Sequence, residues 1–347
     1  MIYINGRFLT QKPTGVHRFS FEMCKALHTL GLDFVVLSPP HILDFYTCNF
    51  PIKIIGKTSS HLWEQIELPL FLKSKKSPLL ISFMGLGCVL YSNQISTIHD
   101  VSFLRNPQWF SKAYYYFYKI MTPWMARKSK KIITVSNFSK HELIELLQIN
   151  ENKLCVIYNA VAKHFFEKSE ILPINEPYIL AVSSLDPRKN FSNLIHAFLK
   201  LQDLPHKLYI IGGNSSVFST MNLPISDKIV FLNYVSNHDL VAYYKQASLF
   251  VYPSLYEGFG IPPLEAMSQQ CPVLVSDIQV LHEVCKDAVF YCNPNDSNDI
   301  ANQIHYILTN PSEVEIKINI GLQHINNFSW KASASKLLEV IKELDRE

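Results

Sequence analysis

The stretch "LFVYPSLYEGFGIPPLEAM", residues 249–267, decides the fold. Its opening run of apolar, β-branched and aromatic residues has strand length. Gly258 and Gly260 then permit close backbone approach, and Pro262 or Pro263 suits the first turn of a helix. The segment therefore predicts strand, loop and helix in succession, with Glu257 on the loop and Glu265 at the helix start. Acidic residues are common in a first helical turn, which accounts for Glu265 but not for Glu257. A polar ligand at this loop accounts for both.

Working outward, short β-branched runs alternate with helix-length amphipathic segments along the whole chain. "FVVLS", "KIIG", "LLISF", "ISTIH", "KIITVS" and "KLCVIY" occupy the first half, and "YILAVSS", "KLYIIGG", "KIVFLNYV", "LFVYPS", "PVLVS" and "AVFYC" the second. This alternation predicts an α/β chain of two doubly wound, Rossmann-like domains, each a parallel sheet covered on both faces. The alternation breaks in "VAKHFFEKSEILPINEP", which sets the expected domains at 1–165 and 166–347. Ligands in such sheets bind beyond the carboxyl ends of the strands, so a cleft between facing domains is the expected site. The closing "FSWKASASKLLEVIKELDRE" predicts an amphipathic helix over about 329–345, with Leu337, Leu338, Ile341 and Leu344 on one side. That helix is a candidate to pack back on the first domain.

Composition excludes several classes. With 347 residues, 48% hydrophobic and 18% charged, the chain reads as globular, and its longest nearly apolar run, "PLLISFMGLGCVLY", is too short to span a bilayer. The start "MIYIN" lacks the pattern of a signal peptide, and seven cysteines without C-x-x-C point to reduced thiols. The expected location is cytoplasmic, with peripheral contact at the inner face of the cytoplasmic membrane. No G-x-G-x-x-G follows a strand, and neither a G-x-S-x-G elbow nor a P-loop is present, which disfavours dehydrogenase, hydrolase and P-loop chemistry. No Asp-x-Asp occurs, so no metal is expected.

Charge is unevenly divided. Residues 1–165 hold 19 Lys+Arg against 9 Asp+Glu, net +10, and residues 166–347 hold 13 against 20, net −7. The basic half points to an anionic partner, membrane phospholipid or a lipid phosphate ahead of nucleic acid; a merely solvated charge is the bland alternative. Within it, "WFSKAYYYFYKIMTPWMARKSKK", residues 109–131, mixes aromatics with six basic and no acidic side chains. It reads equally as a membrane-surface segment or as a buried aromatic helix with a basic end, and Pro123 is expected to interrupt a continuous helix.

A second constellation is "AVSSLDPRKNFSNLIHAF", residues 181–198. Here a strand ends, a loop carries Arg188 and Lys189, and Asn190 is positioned to cap the next helix. A helix start with two cations makes a diphosphate site. A nucleotide sugar also presents hydroxyls for carboxylates and phosphates for backbone amides, which Glu257, the Gly258-Phe259-Gly260 backbone and Glu265 supply in order.

On these residues the chain resembles the retaining glycosyltransferases of the GT-B fold, in particular their large fourth sequence family, which makes bacterial polysaccharides and glycolipids. "TGVHRF", "STIHD", "DPRKNFSNLIHAF", "NYVSNHDLVAYYKQASLFVYPSLYEGFGIPPLEAM" and "FSWKASASKLLEVI" carry the likeness nearly end to end. The resemblance implies that Arg188 and Lys189 neutralise the diphosphate leaving group, that Glu265 binds the ribose and that Glu257 binds the donor sugar's hydroxyls. It places backbone amides near Phe259, Gly260 and Ile261 against sugar or phosphate, and Val235 against the base. Gly15, between the first strand and helix, lets a loop approach the donor, and His99 at a strand end positions or electrostatically supports the sugar. The catalytic set is then Glu257, His99, Arg188 and Lys189, with Glu257 favoured as a hydroxyl binder over a nucleophile. Asn233 stands where the family often has glycine, and Ser183 and Ser184 where Gly-Thr is frequent.

The implied activity is retaining transfer of a hexose, with mannose from GDP-mannose favoured, to a hydroxyl of a growing, lipid-linked surface polysaccharide. Rhamnosyl or other hexosyl transfer from a dTDP, GDP or UDP sugar is the alternative, along with a phosphorylase or sugar-nucleotide epimerase of the same fold and a non-catalytic glycan-assembly partner. The expected partners are the nucleotide sugar, a glycan or lipid-linked glycan acceptor and an anionic membrane. Neither nucleic acid nor a cofactor is expected.

Overall fold

The β-branched runs form thirteen described strands in two sheets, both entirely parallel. The computed structural model describes residues 1–12, 14–168, 170–184, 186–212, 226–233 and 235–346. Ser169, Leu185, Gly213, Tyr234 and Glu347, which fall within stretches quoted above, lie outside the described residues. The chain divides into two units, Met1–Asn159 with Phe328–Glu347, and Ala160–Asn327.

The first unit holds β1 (Ile2–Asn5), β2 (Phe34–Ser38), β3 (Ile52–Ile54), β4 (Leu80–Ser82), β5 (Gln94–Thr97), β6 (Lys131–Thr134) and β7 (Leu154–Val156) in the order 3-2-1-4-5-6-7. The second holds β8 (Tyr178–Val182), β9 (Lys207–Ile211), β10 (Ile229–Leu232), β11 (Leu249–Tyr252), β12 (Val273–Ser276) and β13 (Phe290–Cys292) in the order 10-9-8-11-12-13. Strands buried on both faces read as continuous apolar runs rather than alternating ones, and β8 and β11 do so. Ile179, Leu180, Leu249 and Val251 are fully buried, and β8 joins β11 with Leu249 opposite Ile179. Leu194 and Ile195 pack from one covering helix, and Ile300 and Ile304 from another. Each such side chain stabilises the unit by about 1.5–3 kcal/mol relative to exposure.

The order of strands reverses between β1 and β4 in the first unit and between β8 and β11 in the second. Loops leaving adjacent strands in opposite directions open a crevice at such a switch point, beyond the carboxyl ends. The helix Trp330–Leu344 belongs to the first unit, where Trp330 meets Phe19 of the helix Gly15–Thr29 edge-on at 5.8 Å.

Pro123 does not interrupt its helix, which runs unbroken over Lys112–Lys128. Burial of Thr122, Met125 and Ala126 beside it holds the segment against the local cost of the missing N–H. Among the described residues no helix is long and apolar enough to cross a membrane.

Candidate active site

At the switch point of the second unit, the loop after β8 and the loop after β11 are locked together. Leu255 N–H donates to the Arg188 carbonyl at 2.7 Å, and Asn190 Nδ2 donates to the Pro253 carbonyl at 3.0 Å and the Pro294 carbonyl at 2.7 Å. These links bring Lys189 Nζ to 2.6 Å from Glu257 Oε1 and 3.2 Å from Tyr252 Oη. Lys189 and Glu257 are 8% and 7% exposed, so the pair is nearly out of water. Burial by itself raises the Glu257 carboxyl. The Lys189 and Arg188 charges and hydrogen bonds from Lys189 and Tyr252 overcome it and hold the carboxyl below its ordinary value. Arg188 lies beside Asp186, Nε to Oδ2 at 3.1 Å.

Asn190 does not cap the following helix by its side chain. It adopts the left-handed conformation, φ 59°, ahead of the helix Phe191–Phe198, and spends its amide on the two proline carbonyls instead. Asp186 does the capping, accepting from Arg188 N–H at 3.1 Å at the short 3₁₀ turn Pro187–Lys189.

After β11 the chain reaches Gly260 at φ 98°, a conformation that strains any residue with a Cβ, and a Cβ there would also come within 2.8 Å of Leu281 Cδ2. Gly260 thus sets the entry to the helix Ile261–Ser268, whose first turn takes Pro262 and Pro263. Glu265 lies one turn in, 2% exposed, and its Oε2 accepts from Tyr244 Oη at 3.2 Å. Gly258 precedes the buried Phe259, and Ile261 opens the helix half-buried. Val235 is half-buried just before Ser236, the cap of the helix Asn237–Gln246.

Gly15 and His99 fall in the first unit. A Cβ on Gly15 would meet nothing within 4 Å, so internal packing does not demand glycine there. The imidazole of His99 stands edge-on to Phe19 at 5.1 Å and its Nε2–H donates to the Phe83 carbonyl at 2.8 Å, which leaves Nδ1 as the acceptor. Burial pushes the His99 pKa down, against the Phe83 hydrogen bond and the Asp100 charge.

His17, within the quoted "TGVHRF", interacts electrostatically with His99. Its Nδ1 accepts from Thr14 N–H at 3.2 Å and its Nε2–H donates to Gln11 Oε1 at 2.9 Å. Burial first, then the Arg7 and His99 charges, push its pKa down to about 4. The unfolded imidazole titrates near 6.5, so below that pH the unfolded chain takes up a proton that the native one refuses until about pH 4. Stability therefore falls as pH drops through this window, by about 2 kcal/mol at pH 5 from this group. Denaturant titrations at pH 7 and pH 5 check it: His17→Gln should shrink the acid loss by that amount, and equal losses in both proteins would refute it.

One polar cluster at the switch point of the first unit escaped the sequence. Arg7, just past β1, is 4% exposed and its Nη1 lies 2.9 Å from Oε2 of the fully buried Glu64. Asn5 Nδ2 donates to Glu64 Oε1 at 2.8 Å, and Arg7 Nη1 also donates to His61 Nδ1 at 3.0 Å. Gly85, beyond β4 at φ 73°, makes room for the guanidinium, since a Cβ would stand 2.8 Å from Arg7 Nη2. The available signal was a lone arginine among apolar residues directly after the first strand, in "MIYINGRFL".

A cavity of about 320 Å³ opens among Ile2, Leu79, Asn93 and Lys130, at the amino ends of the strands. That is the edge of the first sheet opposite its own switch point. Among the described residues no group of three or more His, Cys, Asp or Glu is placed to hold a metal ion.

The chain matches two family models, Glycosyltransferase Family 4 over residues 13–164 and Glycosyl transferases group 1 over residues 162–321. It is 29% identical over 337 residues to the O-antigen chain mannosyltransferase RfbU of Salmonella typhimurium, covering 90% of this chain and 92% of that protein. It is 31% identical over 265 residues to O-antigen chain mannosyltransferase B of Escherichia coli, covering 72% and 70%. Among solved structures, sucrose-phosphate synthase from Thermosynechococcus elongatus superposes with a TM-score of 0.79 at 18% identity, over 99% of this chain and 98% of that one. Anabaena HepE, in complex with UDP and glucose, gives 0.78 at 14% identity, over 98% of each chain. Those two likenesses establish the fold.

Proposed function

This chain belongs to the family 4, group 1 glycosyltransferases, and from that premise we infer that it transfers mannose from GDP-mannose, with retained configuration, to a hydroxyl of a growing lipid-linked surface polysaccharide. The observation that carries the donor side is the meeting of Lys189 and Glu257 at the switch point of the second unit, with Glu265 buried on the next helix. An ammonium has three N–H donors. Glu257 and Tyr252 take two of those of Lys189, and the third serves a phosphate oxygen. Glycosyl cleavage develops negative charge on the diphosphate and positive charge on the ring, so Lys189 and Arg188 bind the transition state more strongly than the ground state. Glu257, kept ionised by those cations, accepts from sugar hydroxyls, and Glu265 accepts from the ribose. His99, neutral and with Nδ1 as an acceptor, positions the sugar. The leaving phosphate assists removal of the acceptor's proton. None of these steps calls on a metal or cofactor.

Mannose is preferred because both relatives named above are O-antigen mannosyltransferases. A thermal-shift panel of GDP, UDP, dTDP and their sugars tests the donor, because a ligand bound only by the native state raises the melting temperature. GDP and GDP-mannose should give the largest shifts, and a larger shift with UDP or dTDP sugars would overturn the mannose assignment. Glu265→Ala should weaken binding of the nucleotide by about tenfold, the equivalent of one lost charge-assisted hydrogen bond of ~1.4 kcal/mol. Equal affinities by calorimetry would remove the ribose role.

A further inference from the structure

The helix Lys112–Lys128 turns the wrong residues outward for a helix of a water-soluble surface. Its inner side carries Tyr115, Tyr118, Met121 and Met125 against the core of the first unit. Its outer side carries Tyr116, Ile120 and Trp124 at successive fourth positions, with Phe117 beside them. A second line repeats the pattern. Ser60–Leu62, a π-helical turn Trp63–Glu67 and Leu68–Ser74 form one continuous helical segment, in which Trp63, Leu68 and Leu72 enter the core while Leu62, Ile66 and Leu70 face out. The two segments adjoin where the His61 ring meets Phe117 at 5.5 Å and Tyr118 at 6.4 Å. Gln65 ties the loop of Leu90 to the same segment, through Gly87 O at 2.6 Å and Val89 N at 2.9 Å. Leaving aside Phe117, these outward side chains are from 48% exposed, at Ile66 and Trp124, to 68%, at Leu90.

The charge around this apolar surface is mostly positive. Lys73, Lys75 and Lys76 end one segment, and Lys112, Lys119, Arg127 and Lys128 flank the other, all exposed. Of the two acids in the first segment, Glu64 is buried against Arg7, and Glu67 stays ionised but is turned back onto Thr58 Oγ1 and the Lys57 and Thr58 amides. The second segment has no acid. Aliphatic and aromatic side chains rimmed by lysine and arginine match the boundary of an anionic bilayer, where apolar groups enter the acyl region and cations meet lipid phosphates.

We propose that the outer faces of Leu62–Leu70 and Tyr116–Trp124, with Leu90, form a single docking surface for an anionic phospholipid bilayer. It rests on the reading above only for its purpose, which is to hold the enzyme beside a lipid-linked acceptor. The test is sedimentation with phosphatidylglycerol-rich and pure phosphatidylcholine vesicles. The wild-type chain should bind the anionic vesicles, more weakly as salt rises. Ile120→Ser/Trp124→Ser and, separately, Ile66→Ser/Leu70→Ser should each weaken binding at least tenfold with melting temperatures unchanged. Absence of binding at low salt, or an Ile66→Ser/Leu70→Ser variant that binds like wild type, would overturn it. So would a dimer by light scattering that these substitutions dissociate, since a second copy would then cover the surface. Vesicle binding by a chain that responds to no nucleotide would uphold the docking surface and sink the transferase reading.

Discussion

Lys189→Ala is expected to cost about 3–5 kcal/mol of stability and more than about tenfold in turnover. The first effect comes from Glu257, which is left nearly buried without its partner at 2.6 Å. The second comes from loss of the cation aimed at the leaving group. The two can be separated. In the wild type, burial raises the Glu257 carboxyl but Lys189 and Arg188 hold it low, so the pair's contribution is present above the ordinary carboxylate pKa and is lost as pH falls through the depressed one. In the variant the burial effect is less opposed and the carboxyl titrates higher. The gap in stability between the two proteins should therefore narrow from pH 7 to pH 5. Adding Glu257→Gln should recover much of the stability by removing the stranded charge, yet leave turnover low. Denaturant titration together with turnover of the donor picked out by the nucleotide panel checks both, and unchanged turnover in a folded Lys189→Ala protein would end the diphosphate role.

That juxtaposition marks the limit of what the sequence discloses. Strands and their parallel pairing are legible because residues buried on both faces leave continuous apolar runs such as "YILAV" and "LFVY". The loops that follow are legible as ligand loops because glycine, proline and charge gather there. Contact between Lys189 and Glu257, 68 positions apart, is a property of strand order. It follows only once β8 and β11 are known to be neighbours. Asn190 departs from its expected capping role for a similar reason, because its best acceptors are carbonyls of Pro253 and Pro294, brought close by the sheet rather than by the helix after it. The aromatic stretch 109–131 could not be resolved as buried or exposed from composition, since helical phase alone leaves open which side meets the core. The partner line Leu62–Ile66–Leu70 was hidden further, because the π-helical turn Trp63–Glu67 sets the core-facing Trp63 and Leu68 five positions apart and so breaks the apolar helical period of the buried side.

Arg7→Met is expected to be about as destabilising, about 3–5 kcal/mol, although no nucleotide role is assigned to it. Glu64 is fully buried, and without Arg7 its carboxylate would keep Asn5, a long hydrogen bond from Gln65 Nε2 at 3.5 Å and a half-exposed His61, with no full positive charge to offset its own. The guanidinium itself has a buried Nε without a hydrogen-bond partner, so the arginine is retained at some cost and its worth lies in compensating Glu64. Removing the charge on both sides should then be far milder than removing one: Arg7→Met/Glu64→Gln should regain most of the lost stability, because the substituted amide still accepts from Asn5 through its carbonyl oxygen and no ion is stranded. Both variants should keep the wild-type thermal shift with the donor nucleotide, because this cluster lies in the first unit and the Lys189–Glu257 pair in the second. Chemical denaturation of the three proteins decides it. A single Arg7→Met variant within about 1 kcal/mol of wild type would mean that Glu64 is compensated by other groups, and that the ends of β1 and β4 are not held by this ion pair.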